Sequence, residues 1–177
     1  MPHHARRTAI AAVAVLAACG RVPMHQSSTH AESSSRSASD AAVDSDVSRV
    51  RAATRAFQVL DSAVAAGYAR NVPNCLRHPE QGTMGFHHSN PKLTDDKVEL
   101  ERPEILLYGR TEKGDHVLTG VEYIVPYRAH PRDAGPPTVM GQKLKRSDNL
   151  QLWYLHVWIW RDNPSGLFAD YNPTVSC

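Results

Sequence analysis

The sequence predicts an α+β domain in which one N-terminal helix packs on a curved antiparallel sheet, and three observations carry that expectation. Val50, Ala53, Phe57, Leu60, Val64 and Tyr68 recur at spacings of three and four, giving one apolar stripe over residues 47–69. After Pro73 the texture changes to short β-prone runs punctuated by Gly, Pro and Asn. The run 152–160 (Leu-Trp-Tyr-Leu-His-Val-Trp-Ile-Trp) is the strongest strand in the chain. One helix followed by four or more such segments gives the class.

Each element has its own signal. Asp46 or Ser45 can cap the helix, Arg49, Arg51, Arg55 and Asp61 fall on its polar side, and Asn71 with Pro73 ends it. Residues 83–88 read as a brief strand stopped by Asn90-Pro91. Residues 104–109 and 117–125 form a hairpin joined by 110–115, and Pro126 ends its second strand because it has no N–H for the ladder. The Pro- and Gly-rich stretch 127–141 reads as a loop. The element order is analogous to cystatin-like or NTF2-like domains, in which a curved sheet wraps a helix; a small open β-barrel with one helix is the alternative.

The first 46 residues are of a different kind. Arg6 and Arg7 precede an apolar run of about 11 residues, well short of the roughly 20 needed to span a bilayer as a helix. Leu16-Ala17-Ala18-Cys19 resembles the lipobox of bacterial lipoproteins, and Leu16 fits an ordinary A-x-A cleavage site poorly. The resemblance implies removal of a signal peptide, 1–18, and acylation of Cys19 by diacyl and N-acyl (palmitate-type) chains, enough for stable attachment. Residues 19–46 are rich in Ser and lack aromatic side chains, so they read as a disordered tether to a single domain, 47–177. The expected location is a cell or outer membrane, lipid-anchored on its extracytoplasmic side.

Loss of Arg6 and Arg7 leaves 18 basic against 18 acidic residues. A neutral exported domain offers no broad basic field for nucleic acid. With Cys19 acylated, Cys75 and Cys177 remain in an oxidising compartment, and a disulfide is the default expectation.

No G-x-G-x-x-G, H-E-x-x-H, C-x-x-C or G-x-S-x-G signature is present. Candidate chemistry therefore rests on isolated side chains. His78, His116 and His130 border turns or prolines and read as surface histidines. Adjacent strand residues point to opposite faces, so only one of His87 and His88 can share a site with His156. On the last strand His156 shares a face with Tyr154, Trp158 and Trp160, while Trp153, Leu155, Val157 and Ile159 form the apolar face expected to cover the helix. Trp158 fits either a core or a ligand platform. Glu122, inside a hydrophobic strand, points to solvent or inward to a partner. With two histidines it matches a divalent metal site of His/His/carboxylate type; with one it matches an acid–base couple or a polar pair that fixes register. The segment 163–173 holds two Asn-Pro turns around Phe168 and Tyr171, which can pin it to the domain, with Asp170 and Asn172 as polar rim groups.

Met84-Gly85-Phe86-His87-His88, the run 103–108, the run 120–126 and the C-terminal block from Leu155-His156-Val157-Trp158 through Asn163-Pro164-Ser165-Gly166-Leu167-Phe168 to Cys177 resemble a family of exported bacterial proteins without an assigned activity. The resemblance covers residues 75–177. It implies that His87, Glu122, His156 and the two cysteines belong to one framework, and it transfers no catalytic residue. The functional expectation is a cell-envelope module that binds a small molecule or a metal, with an envelope enzyme or a purely structural domain as alternatives.

Overall fold

The computed structural model describes residues 28–70 and 74–177. The segment expected to be a signal peptide (1–18), Cys19 and the first part of the expected tether lie outside the described residues. The chain runs α1 (Ser28–Thr54), a 3₁₀ turn (Arg55–Gln58), α2 (Leu60–Ala65), β1 (Ala69–Arg70), β2 (Leu76–His78), β3 (Gly82–Ser89), β4 (Ile105–Arg110), β5 (His116–Pro126), β6 (Thr138–Val139), β7 (Gln142–Lys143), β8 (Lys145–Ser147) and β9 (Leu152–Val157). It is an α+β fold. The main sheet is antiparallel and curled into a half-barrel, in the order β1-β3-β4-β5-β9-β8, with β2 also paired to β3.

The helical region departs from the expected single helix over 47–69. α1 begins at Ser28, inside the stretch read as tether (19–46), and from Ser28 onward that stretch contains neither Gly nor Pro to stop it. Its packing begins later. Val43 is half-buried against the core, while Val47, Val50 and Thr54 are buried, a spacing of four, three and four. At Thr54 the stripe breaks. Tertiary partners take over the backbone: Phe57 O accepts from Tyr108 Oη at 2.5 Å, and Thr54 Oγ1 accepts from the Trp160 indole at 3.1 Å. Val59 is extended, and α2 restarts with Ala63 rather than Val64 facing inward. A Schellman cap closes α2, with Tyr68 N donating to Ala63 O and Gly67 N to Val64 O, Gly67 supplying φ +100°.

The hairpin and the strand around 83–88 form as expected. Two boundaries differ. β9 stops at Val157 because Trp158 N donates to Leu167 O of the returning C-terminal segment. The presumed loop 127–141 contains half of a small hairpin, β6–β7, turned through Met140 and Gly141 at φ 52° and 69°, the signature of a type I′ turn.

Sheet alternation separates two faces. Leu106, Tyr108, Val121, Tyr123, Val125, Trp153, Leu155 and Val157 pack with Val47, Val50, Ala63 and Tyr68 in the main core. Ile105, Leu107, Trp158 and Val175 form a smaller cluster on the other face. The expected apolar face of the last strand does cover the helix. In the β4–β5 ladder Leu107 pairs with Gly120 and Tyr108 with Leu118, leaving Thr119 as the extra residue of a bulge, its hydroxyl donating to Leu107 O at 2.9 Å. Bulges strengthen local twist and curl.

Cys75 and Cys177 form a disulfide across 102 positions, with their Cα atoms 5.8 Å apart. It acts with a bridge in which Thr83 and Asn172 exchange backbone bonds of 3.1 and 2.8 Å, and with Thr83 Oγ1 donating to Val175 O. The C-terminal segment is thereby fastened beside β2 and β3. Its expected pins, Phe168 and Tyr171, are half-buried.

Two predictions follow from these contacts. Cys75→Ala with Cys177→Ala is expected to cost roughly 2–5 kcal/mol in denaturant unfolding, because the crosslink removes loop entropy from the unfolded chain. The second concerns Glu104, which is 1 % exposed and accepts from Ile124 N at 3.1 Å just beyond the end of β4. Burial pushes its carboxyl up to about 8. A folded-state value above the unfolded one means stability is full below about pH 4.5 and declines until the pH passes about 8. The decline amounts to roughly 5 kcal/mol at 1.4 kcal/mol per unit. Glu104→Gln keeps the acceptor for Ile124 and is expected to flatten that decline in pH-dependent unfolding, matching wild type at pH 4 and exceeding it at pH 9.

Candidate metal centre

Glu122 on β5 pairs with His156 on β9, and Ile105 on β4 pairs with Glu122, so these three share one row and one face. His87 on β3 pairs with Leu107, one row away. β3 and β9 are three strand spacings apart, roughly 14 Å in a flat sheet. Yet the His87 and His156 ring centroids are 5.8 Å apart. The curl folds this face into a concavity and carries His87 over β4 and β5 to meet the pair. Gly85, at φ +84°, lies against Tyr108 O, and a Cβ there would sit 2.6 Å from that oxygen. Only glycine lets β3 approach β4 this closely two residues before His87.

His87 Nε2 is 3.4 Å from Glu122 Oε2, and His156 Nε2 is 3.7 Å from Glu122 Oε1. One ligand atom from each of the three residues lies within 4.8 Å of the others, and all three side chains are buried. Among the described residues, Glu122 Oε2, His87 Nδ1 and both ring nitrogens of His156 have no hydrogen-bond partner. Buried polar atoms in native proteins nearly always have one, and two of these, Glu122 Oε2 and His156 Nε2, lie within the trio, where one bound group could satisfy both. A tetrahedral ion with bonds of roughly 2.0–2.1 Å sets its ligand atoms roughly 3.3 Å apart. The observed 3.4 and 3.7 Å, which run to the two different oxygens of Glu122, come close to that separation. They exceed the roughly 2.7–3.2 Å of a direct N–H···O bond. A buried His–Glu–His group that can hold a metal is therefore present.

The protonation state of His87 agrees. Burial lowers its pKa; Glu122 opposes this and His156 reinforces it, so the imidazole is held neutral, as a metal ligand must be. Behind His156, Nδ1 lies 3.7 Å from Asp170 Oδ1. Burial works against the Asp170 charge, but His156 and Lys145 outweigh it and bring the carboxyl down to about 2. Lys145 Nζ is 2.6 Å from Oδ1, and the Tyr154 hydroxyl lies 3.4 Å from Oδ2. At 3.7 Å the contact of Asp170 with His156 is longer than a hydrogen bond, and it sets a carboxylate on the Nδ1 side of His156, the position from which one can orient a ligating ring.

The three residues line a cleft of about 420 Å³ walled by Leu76, Met84, Ile105, Ile124, Leu150 and Leu152, with Arg77 and Tyr171 also on its lining. The volume is in the range that takes small organic molecules.

The remaining sequence candidates divide cleanly. His88 points to the opposite face, where its ring meets Tyr108 at 4.9 Å and His116 at 6.3 Å. His116, expected at the surface, is half-buried against Phe86, His88 and Tyr108. Trp158 is buried and stacks on His156 at 6.3 Å with its indole donating to Ala169 O at 2.7 Å, so it backs the site and does not line the cleft. Asn172, expected at a rim, is fully buried in the bridge to Thr83. Lys145 and the pairing of Asp170 with His156 carried no sequence signal beyond an acidic residue in an aromatic turn.

No family model, curated protein or solved structure matches this chain.

Proposed function

We propose that this protein is a cell-envelope lipoprotein module that binds one divalent metal ion through His87 Nε2, Glu122 and His156 Nε2. The observation that carries the reading is the buried, hydrogen-bond-deficient His–Glu–His set at co-ligation distances. Two imidazoles and a carboxylate in a tetrahedral spacing suit zinc best, with cobalt(II) as its spectroscopic substitute. The acid–base alternative needs a direct Glu–His hydrogen bond, and both separations are longer than that. The anchor rests on the Cys19 lipobox and its leader; among the described residues no helix is long and apolar enough to cross a membrane.

Zinc titration of metal-stripped protein against a chromophoric chelator is expected to give one tight site per chain, with a rise in thermal midpoint on binding. Glu122→Gln and His87→Ala are expected to abolish it. A chain that binds no zinc, or binds it equally well in both variants, would remove the proposal. Because burial holds the His87 pKa below its ordinary value, protons compete weakly at that ligand, and affinity is expected to hold as pH falls to about 6.5.

Asp170→Asn is expected to weaken zinc binding about 10–100-fold while leaving one site per chain, as for other carboxylates behind ligating histidines. The same titration measures it, and unchanged affinity would show that Asp170 does not position His156.

A further inference from the structure

Three protein ligands leave one corner of a tetrahedron, and all three line the same cleft. We infer that the fourth position takes the carboxylate of a small amphipathic monoanion whose aliphatic body lies along the apolar walls of the cleft. The inference rests on the metal-binding reading above.

Charge selects the head group. A divalent ion with two neutral imidazoles and one carboxylate keeps a net charge of +1 in a buried site. Asp170 and Lys145 cancel each other 2.6 Å apart, so they do not supply the missing negative charge. Arg77 on the cleft lining is exposed to solvent, where its charge is screened, so it does not change this count. A single negative oxygen ligand neutralises the centre, whereas a cation or dianion leaves residual charge in surroundings of low polarity.

The walls select the body. Leu150 is 70 % exposed and Leu76 39 % exposed on the cleft lining, so an apolar body seated there would take their surface out of water. Met84, Ile105, Ile124 and Leu152 continue the apolar surface, which predominates although Ser89, Ser147, Tyr154 and Tyr171 also line the cleft. An aliphatic chain with one terminal carboxylate uses both the trio and the apolar walls. A sugar, polar on every face, would cover that apolar surface less well.

The test uses the full chain loaded with cobalt(II), whose visible d–d bands report both metal binding and replacement of the fourth ligand. Acetate and octanoate carry the same head and differ only in the body. Octanoate is expected to shift the bands at a concentration at least about 100-fold lower than acetate, since each buried methylene contributes about fourfold. Leu150→Glu, which places a like charge on the exposed part of the cleft lining, is expected to remove most of that advantage and leave the acetate response and cobalt stoichiometry unchanged. Equal responses to the two acids, or none to either, with cobalt bound, would overturn the amphipathic-monoanion assignment and leave the metal site standing. Absence of the d–d bands before any acid is added would overturn the metal reading and this inference together.

Discussion

The pairing of Glu122 with His156 across β5 and β9 is the constraint on which the rest of the molecule turns. Taken alone, placing a carboxylate and an imidazole in a buried row is unfavourable, because both lose hydration. The opposite face compels it. Val121, Tyr123 and Val125 on β5 and Trp153, Leu155 and Val157 on β9 alternate with the polar pair and are all buried in the main core. Slipping either strand by one residue would turn its three apolar side chains out of the core. At roughly 1.5–3 kcal/mol for each, the slip would cost at least about 4 kcal/mol. The core therefore enforces the register, and the register delivers the polar pair to the concave face.

Curvature supplies the third member. β3 is not adjacent to β9, and an untwisted sheet would hold His87 out of reach. The Thr119 bulge, the close β3–β4 approach at Gly85 and the tethered C-terminal segment act on the same curl from different positions. The last of these is the most consequential, because the segment fastened by Cys177 and Asn172 also carries Asp170 beneath His156 and the backbone acceptor of Trp158. The staple and the site share one piece of chain. Loosening the C-terminus would act on the orientation of His156 before it exposed much core.

The fold class, the hairpin and both faces of β9 as far as Val157 were legible because strand alternation has a short period and needs only local sequence; Trp160, expected beside His156, lies past the strand's end and packs on the main core. For the same reason Glu122 and His156 could be put forward as partners. The choice between His87 and His88 was not legible: it depends on the register of β3 against β4, which two adjacent histidines leave undetermined. The helix was misread in length at both ends for a different reason. Its periodicity continues past Thr54, but Tyr108, distant in sequence, takes the Phe57 carbonyl, a backbone acceptor a continuing helix would have used, and Trp160 bonds the Thr54 hydroxyl beside it. Asp170 lies in irregular chain, where no period announces a direction, so its place beneath His156 emerges only from the fold.

Two buried glutamates show why the polar row is best read as a ligand set. Glu104 meets only backbone N–H groups, those of Ile124 and of its own residue, and burial outweighs them and drives it towards the neutral acid. That is the ordinary resolution for a carboxylate taken out of water alone. Glu122 is placed differently, with one imidazole nitrogen facing each oxygen at 3.4 and 3.7 Å, neither close enough to donate. A pair selected only to fix register would close to hydrogen-bond distance, as Lys145 and Asp170 do nearby at 2.6 Å. Two histidines held just beyond that distance on either side of one carboxylate, the first kept neutral by burial and the second backed by Asp170, leave a gap of the right size for an ion with bonds of roughly 2 Å.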